Sequence, residues 1–563
     1  MTSTAAAAAR AERWLAADPD PDTRDETARL LAAGGPELVE RFTGHLAFGT
    51  AGLRAAMGAG PQRMNRLVAR LAAAALADEV GPGAVVVLGH DARHRSAALA
   101  ADAAGVLAER GVAAVLLAGP VPTPLLAFGV LHHRAAAGVM ITASHNPAGD
   151  NGIKVYGSDG AQLLAPLDAR VAAGLVGDPA SVVPVPVEAV SPDVLVDAYL
   201  DAVLATARPG EAGGGRDRAL RIAYTPLHGV GGEVCLAALA RAGFADVAVV
   251  AEQARPDPDF PTVATPNPED GAALDAVLTL AVRVGADLVL AHDPDADRLA
   301  AAVPGVGGFR VLSGDEVGAL LGDHLLSLSD PGQPAAPGDG RRRLVVSTYA
   351  GSTLLASVAA AHGAHHVLTP PGFKWVMRAV LDHADEAFVF GYEEALGFAV
   401  GEHVHDKDGI AAAVALASLA ADLAARGRTV DDALDDLARR HGVHRTAGHV
   451  LPVAAVGDRD AVTAALRDDP PARLGGVAVG RAGDPAPPGT PSGRAAELVL
   501  ADGTRIVVRP SGTEAKLKCY LELVLPVGPT DDLIAVRTAA DTRLAAVWAD
   551  LAPRLSASGP SGP

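Results

Sequence analysis

Nine short apolar runs, falling in three sets of three, constrain the fold of this chain more than any other feature. Residues 84–88 (AVVVL), 112–118 (VAAVLLA) and 138–142 (GVMIT) form the first set. Residues 220–224 (LRIAY), 246–251 (DVAVVA) and 287–291 (DLVLA) form the second. Residues 343–347 (RLVVS), 366–368 and 387–390 (AFVF) form the third. Each run stops at turn-forming residues, and helical periodicity follows. Buried strands alternating with helices predict parallel strands joined by crossover helices, hence three similar α/β units. The similarity among the units is one of pattern rather than of residues.

The flanks differ. Residues before Phe48 read as a helical arm of Ala-rich amphipathic stretches. Near the other end, 496–500 (AELVL), a turn at Asp502-Gly503 and 505–508 (RIVV) read as a hairpin. A further strand over 517–525 and then a helix complete an α+β unit. Two patches rich in Pro and Gly, 330–340 and 483–493, read as surface insertions. The expected division is an arm over 1–47, α/β domains over 48–208, 209–312 and 313–435, and an α+β domain over 436–563. The 563 residues agree with about four domains at ~150 residues each.

Composition excludes several classes. The net charge of −19 disfavours general nucleic-acid binding, since a phosphate backbone would be repelled. Two cysteines, Cys235 and Cys519, form no disulfide framework and favour a reducing compartment. No apolar run reaches the ~18 residues of a membrane span, and Arg10 and Glu12 interrupt the start where a signal peptide would be hydrophobic. The expectation is a cytoplasmic protein with no membrane and no nucleic-acid partner; oligomeric state is left open.

Four loops carry groups that chemistry can use. In Thr142-Ala143-Ser144-His145-Asn146-Pro147 a serine stands at the end of a buried strand, where open α/β sheets bind ligands. His145 can move protons near neutral pH. A serine at such a place can also simply cap a following helix. In Asp293-Pro294-Asp295-Ala296-Asp297-Arg298 three carboxylates alternate after an apolar strand. They repel unless a cation neutralises them, and an all-oxygen set suits Mg²⁺. An EF-hand is excluded because Arg298 and Pro304 stand where its Gly and Glu would be. Glu393 and Glu394, in Gly391-Tyr392-Glu393-Glu394-Ala395-Leu396-Gly397, suit sugar hydroxyls or acid/base work, and equally a helix start. Arg509-Pro510-Ser511-Gly512-Thr513 combines an Arg fork, hydroxyls and Gly-freed amides that suit a phosphate.

Lysine usage points the same way. Only five of the 47 basic residues are Lys: Lys154, Lys374, Lys407, Lys516 and Lys518. All five are read as falling in or beside strand-end loops. That favours compact ammonium groups near anionic ligands over surface solubility.

Taken in order, Thr-Ala-Ser-His-Asn-Pro, Asp-Pro-Asp-Ala-Asp-Arg, Gly-Tyr-Glu-Glu-Ala-Leu-Gly and Arg-Pro-Ser-Gly-Thr-Glu resemble the motifs of the α-D-phosphohexomutase superfamily. Phe48-Gly49-Thr50-Ala51-Gly52-Leu53-Arg54 also looks like the motif that opens its first domain. The resemblance runs over residues 48–520. It implies an α/β fold of four domains, three similar mixed α/β domains plus a C-terminal α+β domain, around a central cleft. It further implies that Ser144 carries the phosphoryl group, and that Asp293, Asp295 and Asp297 hold Mg²⁺ with phosphorylated Ser144 as a further ligand. Glu393 and Glu394 would contact sugar hydroxyls. Arg509, Ser511, Gly512 and Thr513 would hold the phosphate that is not being moved. Arg54, His145, Lys154, Arg298, Lys374 and Lys407 would complete a positive site, with His145 and Lys407 both candidate general bases.

The implied reaction transfers a phosphoryl group between O1 and O6 of a hexose phosphate, glucose or mannose. It passes through phosphoserine and a sugar bisphosphate, and a catalytic bisphosphate primes the enzyme. Where many phosphomannomutases have Gly-Glu-Glu-Ser-Gly-His, this chain has Tyr-Glu-Glu-Ala-Leu-Gly-Phe. That looks like the branch that also holds phosphopentomutases, so a ribose phosphate is the alternative substrate. Two remoter alternatives are a non-catalytic sugar-phosphate-binding protein and a hydrolase using Ser144. The first conflicts with the presence of the serine and all three aspartates, the second with the lack of a GxSxG elbow.

Overall fold

The computed structural model describes residues 3–49, 52–207, 219–329, 340–453, 456–487, 490, 494–511 and 516–557. The expected insertion over 330–340 lies almost wholly outside these residues, as does much of 483–493. The chain forms two compact units, one of residues 1–311 with 397–421, the other of 312–396 with 422–563.

In the first unit, the strand Val85–His90 pairs in parallel with Ala113–Leu116 on one side and Ala137–Ile141 on the other. Its Val-rich core is sealed from water on both faces, which is why it reads as a continuous apolar run. The sheet then departs from the expected all-parallel pattern. Asp150–Gly157 returns antiparallel beside Ala137–Ile141, and Leu53–Ala56 pairs antiparallel with it at the edge. The return needs only the short loop that carries Ser144, so no crossover helix intervenes.

The second sheet repeats this plan. Ile222–Thr225 lies parallel to Val247–Val249 and Leu288–Ala291, while Ala300–Gly305 and Gly308–Val311 add an antiparallel edge. Helices Ser3–Ala17, Pro21–Ala33 and Gly35–Phe42 form the arm expected at the start. Trp14 is buried edge-on to Phe42 at 6.4 Å, and Arg10 Nη1 donates to the Gly44 carbonyl at 2.7 Å. Replacing a buried Trp by Ala removes about 3–5 kcal/mol, so the arm is an integral part of this unit's core.

In the second unit, Arg343–Thr348 is parallel to His365–Thr369 and to Ala387–Glu393. A separate antiparallel sheet runs Val443–Pro452, Lys516–Leu525, Arg505–Pro510, Ala496–Leu500, Val477–Gly483, Arg473–Leu474. Leu544, Val547 and Leu551 of the helix Leu533–Ala557 pack into its core. Three α/β sheets and one α+β sheet are thus present, as the sequence pattern requires. Among the described residues no helix is long and apolar enough to cross a membrane, and both cysteines are free and buried.

Candidate active site

Ser144 sits just beyond the strand Ala137–Ile141 with φ of 52°, in the left-handed region. Its amide donates to Thr142 Oγ1 at 2.9 Å. No helix follows it, so the capping role that the sequence allowed is not its role. The same backbone twist brings two neighbours together that on a strand would point apart: Ser144 Oγ lies 3.0 Å from His145 Nδ1. The hydroxyl is buried and donates to Asp293 Oδ2 at 2.6 Å.

Asp293, Asp295 and Asp297 follow the strand Leu288–Ala291 in a loop whose Ala296 is also left-handed, φ 56°. All three are buried. Thr123 Oγ1 donates to Asp295 Oδ2 at 2.6 Å. Lys154 Nζ donates to Asp295 Oδ2 at 2.7 Å and to Asp297 Oδ2 at 2.6 Å. Lys407 Nζ lies 3.2 Å from Asp297 Oδ2. The Arg298 amide donates to Asp293 Oδ1 at 3.1 Å, and its guanidinium lies 3.3 Å from Glu269. Arg54 Nη1 donates to Asn146 Oδ1 at 3.3 Å, and its charge is felt by all three aspartates.

Burial and the other two aspartates push the Asp293 carboxyl well above its usual range. Burial also opposes ionisation of Asp297, but Lys154, Lys407 and Arg298 outweigh it and hold that carboxyl far below the usual range. Lys154 is desolvated, yet Asp295 and Asp297 keep its ammonium protonated. Burial, with Arg298 and Arg54 beside it, lowers the His145 imidazole well below its ordinary value and keeps it neutral.

The residues present fit a metal ion. One carboxylate oxygen from each of Asp293, Asp295 and Asp297 lies within 4.8 Å of the others. Asp295 Oδ1 and Asp297 Oδ1 are buried and accept no hydrogen bond. Oxygen-only donors in a dry pocket suit a hard divalent cation.

Lys154 is a correction to the sequence reading. It lies well inside the strand Asp150–Gly157, whereas Lys516 and Lys518 stand at the start of Lys516–Leu525, beside the strand end as expected. Lys154 reaches the aspartates because its strand runs back beneath the Ser144 loop. Lys374 stands in the first turn of the helix Phe373–Asp382. Lys407 is also placed as expected, in a loop just ahead of the helix Gly409–Ala424. Gly409 must be glycine, since a Cβ would lie 2.4 Å from the Arg298 carbonyl oxygen.

The second unit holds the other predicted residues. Glu393 ends the strand Ala387–Glu393. Thr348 Oγ1 donates to Glu394 Oε2 at 3.0 Å. Arg509 stacks over Tyr520, with Cζ 5.7 Å from the ring centroid, and Nη2 donates to Tyr520 Oη at 3.2 Å. Burial would lower the Arg509 pKa, but Tyr520 and Glu394 raise it. The Ser511 amide donates to the Lys516 carbonyl at 2.9 Å. Gly512 and Thr513 lie outside the described residues, as do Thr50 and Ala51.

Sequence reasoning missed Thr123, Tyr156 and Asp406. Tyr156 Oη and Gln162 Nε2 each donate to Asp406 Oδ2 at 2.8 Å, and Asp406 Oδ1 receives Lys407 Nζ at 3.2 Å. The Asp406-Lys407-Asp408 triplet was the signal available for Asp406; nothing in the local sequence marks Thr123.

Comparison with known proteins agrees with this layout. Residues 45–176, 197–307 and 313–441 match the three α/β/α domains of the phosphoglucomutase/phosphomannomutase family, and 461–525 match its C-terminal domain. The chain belongs to the phosphoglucomutase/phosphomannomutase family. Its class is therefore that of the intramolecular phosphotransferases. The Haemophilus influenzae protein named "Probable phosphomannomutase" is 36% identical over 82% of this chain and 93% of its own length. The phosphopentomutase of Mus musculus is 32% identical over 92% of this chain and 90% of its own. The crystal structure of the Paramecium phosphoprotein pp63/parafusin, a phosphoglucomutase, covers 91% of this chain and 96% of that one with a TM-score of 0.68. At 18% identity it speaks for the family fold alone.

Proposed function

We propose that this enzyme moves a phosphoryl group between O1 and O6 of a hexose phosphate, glucose or mannose, by way of phosphorylated Ser144 and a sugar bisphosphate. One observation carries the reading: the Ser144 hydroxyl donates to Asp293 within a buried set of three aspartates that Lys154, Lys407 and Arg298 balance. Asp293, Asp295 and Asp297 would hold Mg²⁺ together with a phosphate oxygen on Ser144. Bound there, the ion would neutralise the charge that develops as the serine oxygen leaves.

The bond from phosphorus to the serine oxygen breaks as one to a sugar oxygen forms. The sugar hydroxyl gives up its proton, for which His145 and Lys407 are the two candidate acceptors. The bisphosphate then returns its other phosphoryl group to Ser144 by the reverse step. Arg509 and Ser511, with Gly512 and Thr513, are assigned to the phosphate that stays on the sugar. Glu393 and Glu394 are assigned to its hydroxyls, and Lys374 to its charge. A catalytic amount of sugar bisphosphate would prime Ser144. Two buried thiols support a cytoplasmic setting.

The hydrolase alternative lacks support. A triad places the acid on the far side of the histidine, whereas Asp293 accepts the serine hydroxyl's hydrogen bond directly and lies 4.0 Å from the same His145 nitrogen. The pentose alternative is favoured by the phosphopentomutase relative.

The test compares kcat/KM for glucose 1-phosphate, mannose 1-phosphate and ribose 1-phosphate with Mg²⁺ and glucose 1,6-bisphosphate. Preference for a hexose is expected; preference for ribose 1-phosphate would move the assignment to a pentomutase with the chemistry unchanged. Ser144→Ala is expected to lose nearly all turnover on every substrate, and near-normal turnover would sink the reading.

A further inference from the structure

The loop carrying Ser144 has no helix or sheet to hold it, and its backbone is in a conformation that side chains other than glycine rarely adopt. Four carbonyls in and just after it turn to one group. Arg93 Nη2 donates to the carbonyls of Ser144 at 2.6 Å and Asn146 at 2.5 Å. Arg93 Nη1 donates to those of Pro147 at 2.7 Å and Asp150 at 3.1 Å. The Arg93 side chain is only 1% exposed.

The guanidinium is itself fixed on its remaining sides. Its Nε lies 3.4 Å from Asp91 Oδ2, and its plane lies 5.0 Å from the Phe260 ring centroid. Asp91 Oδ1 accepts from Ser96 Oγ at 2.6 Å and from the Arg93 amide at 2.9 Å. Asn151 Nδ2 donates to Ser96 Oγ at 2.9 Å, which ties this cluster to the far end of the same loop.

We propose that Arg93 is a positioning residue for phosphoryl transfer: by gathering four carbonyls onto one guanidinium it sets where the Ser144 oxygen stands. Transfer in both directions requires that oxygen at a fixed place with and without its phosphate. A misplacement of about 1 Å lowers such rates roughly 100-fold. Lysine cannot substitute. Its three donors diverge from one nitrogen, so they cannot span carbonyls from Ser144 to Asp150 as a planar fork does. Arg93 hydrogen-bonds the Ser144 carbonyl and not its hydroxyl, and although its charge is felt at Asp295 it donates to none of the three aspartates, so it acts on the hydroxyl by holding the loop. The proposal rests on the reading of Ser144 as the phosphoryl carrier.

The experiment uses the full chain and Arg93→Lys, with glucose 1-phosphate, Mg²⁺ and glucose 1,6-bisphosphate, well below the variant's Tm. The kcat is expected to fall roughly 100-fold with KM within about 3-fold of wild type, and labelled phosphate to leave Ser144 correspondingly slowly. A kcat within about 2-fold of wild type overturns the proposal. So does a loss of activity that merely tracks the loss of folded protein. If Arg93→Lys does not fold, Asp91→Asn decides in its place. That variant frees one side of the guanidinium, and a kcat lowered by about 10-fold at unchanged KM supports the proposal, while an unchanged kcat overturns it. Wild-type protein that takes no label onto Ser144 would overturn the underlying reading instead, independently of either variant.

Discussion

The aspartate loop of the first unit and the Arg509 region of the second handle charge in opposite ways. Around Asp293, Asp295 and Asp297 every charge is buried and met by another: Lys154 is 0% exposed and touches two carboxylates. Around Arg509 the guanidinium rests on an aromatic face and a phenol, with Glu394 nearby. The first arrangement is rigid because any displacement separates charges in a dry medium. In the second, among the described residues, Arg509 Nε is buried and donates to no acceptor. On the proposed function, the contrast separates a place where bonds change from a place where a group is recognised.

Asp295→Ala should break the first region most severely. It strips Lys154 of one partner and the candidate cation of one ligand. We expect kcat to fall roughly 1,000-fold or more, with the Mg²⁺ titration displaced to higher concentration; an unchanged titration would detach the aspartates from the metal. Arg509→Lys tests the opposite behaviour. Losing the fork should raise KM for the sugar phosphate roughly 10- to 100-fold and change kcat much less. Equal losses in kcat and KM in both variants would erase the distinction.

The second unit also carries a proton of its own. Burial, with Glu522 and Glu394 nearby, raises the Asp315 carboxyl to about 6, although it accepts from the Ser352 amide at 2.7 Å and from Tyr392 Oη at 3.1 Å. The folded protein holds this proton more tightly than the unfolded chain. Its contribution is therefore full below a pH of about 4 and lost as pH rises through about 6, a change of about 3 kcal/mol. Asp315→Asn should flatten the dependence of unfolding free energy on pH across that window, measured by urea titration. The smallest effect is expected from Tyr520→Phe. It removes the hydroxyl that Arg509 meets, and should change KM by only a few-fold, about 1 kcal/mol.

How much of this was legible depended on sequence distance. The strands before Ser144, Asp293 and Glu393 were readable because buried parallel strands are continuous apolar runs. The antiparallel returns were not. Asp150–Gly157 mixes Asp, Asn, Lys and Tyr: Lys154 and Tyr156 reach buried aspartates, while Asp150 meets Asn146 and Asn151 meets Ser96. Such a mixture does not read as a buried strand, so from sequence Lys154 falls in or beside a strand-end loop. Thr123 meets Asp295 across 172 positions and Tyr156 meets Asp406 across 250. No local pattern encodes such pairs. The Arg509 loop is proposed for a phosphate from its composition, and only Arg509 and Ser511 of its assigned residues lie among those described.

The path of the chain sets an order on how the site can be made. The first unit takes in 397–421 only after the chain has run through 312–396. Lys407, which balances Asp297 and closes onto Asp406, is therefore synthesised about 110 residues after the carboxylate it serves. At ~5–20 residues per second a ribosome needs roughly 5–20 s to cover that gap. Throughout it the nascent chain carries Asp295, Asp297 and their partner Lys154 with another of the cations not yet made. Cutting a gene for this protein at residue 311 would release a fragment without Lys407 and without the rest of 397–421, so that point does not divide the chain between its two units.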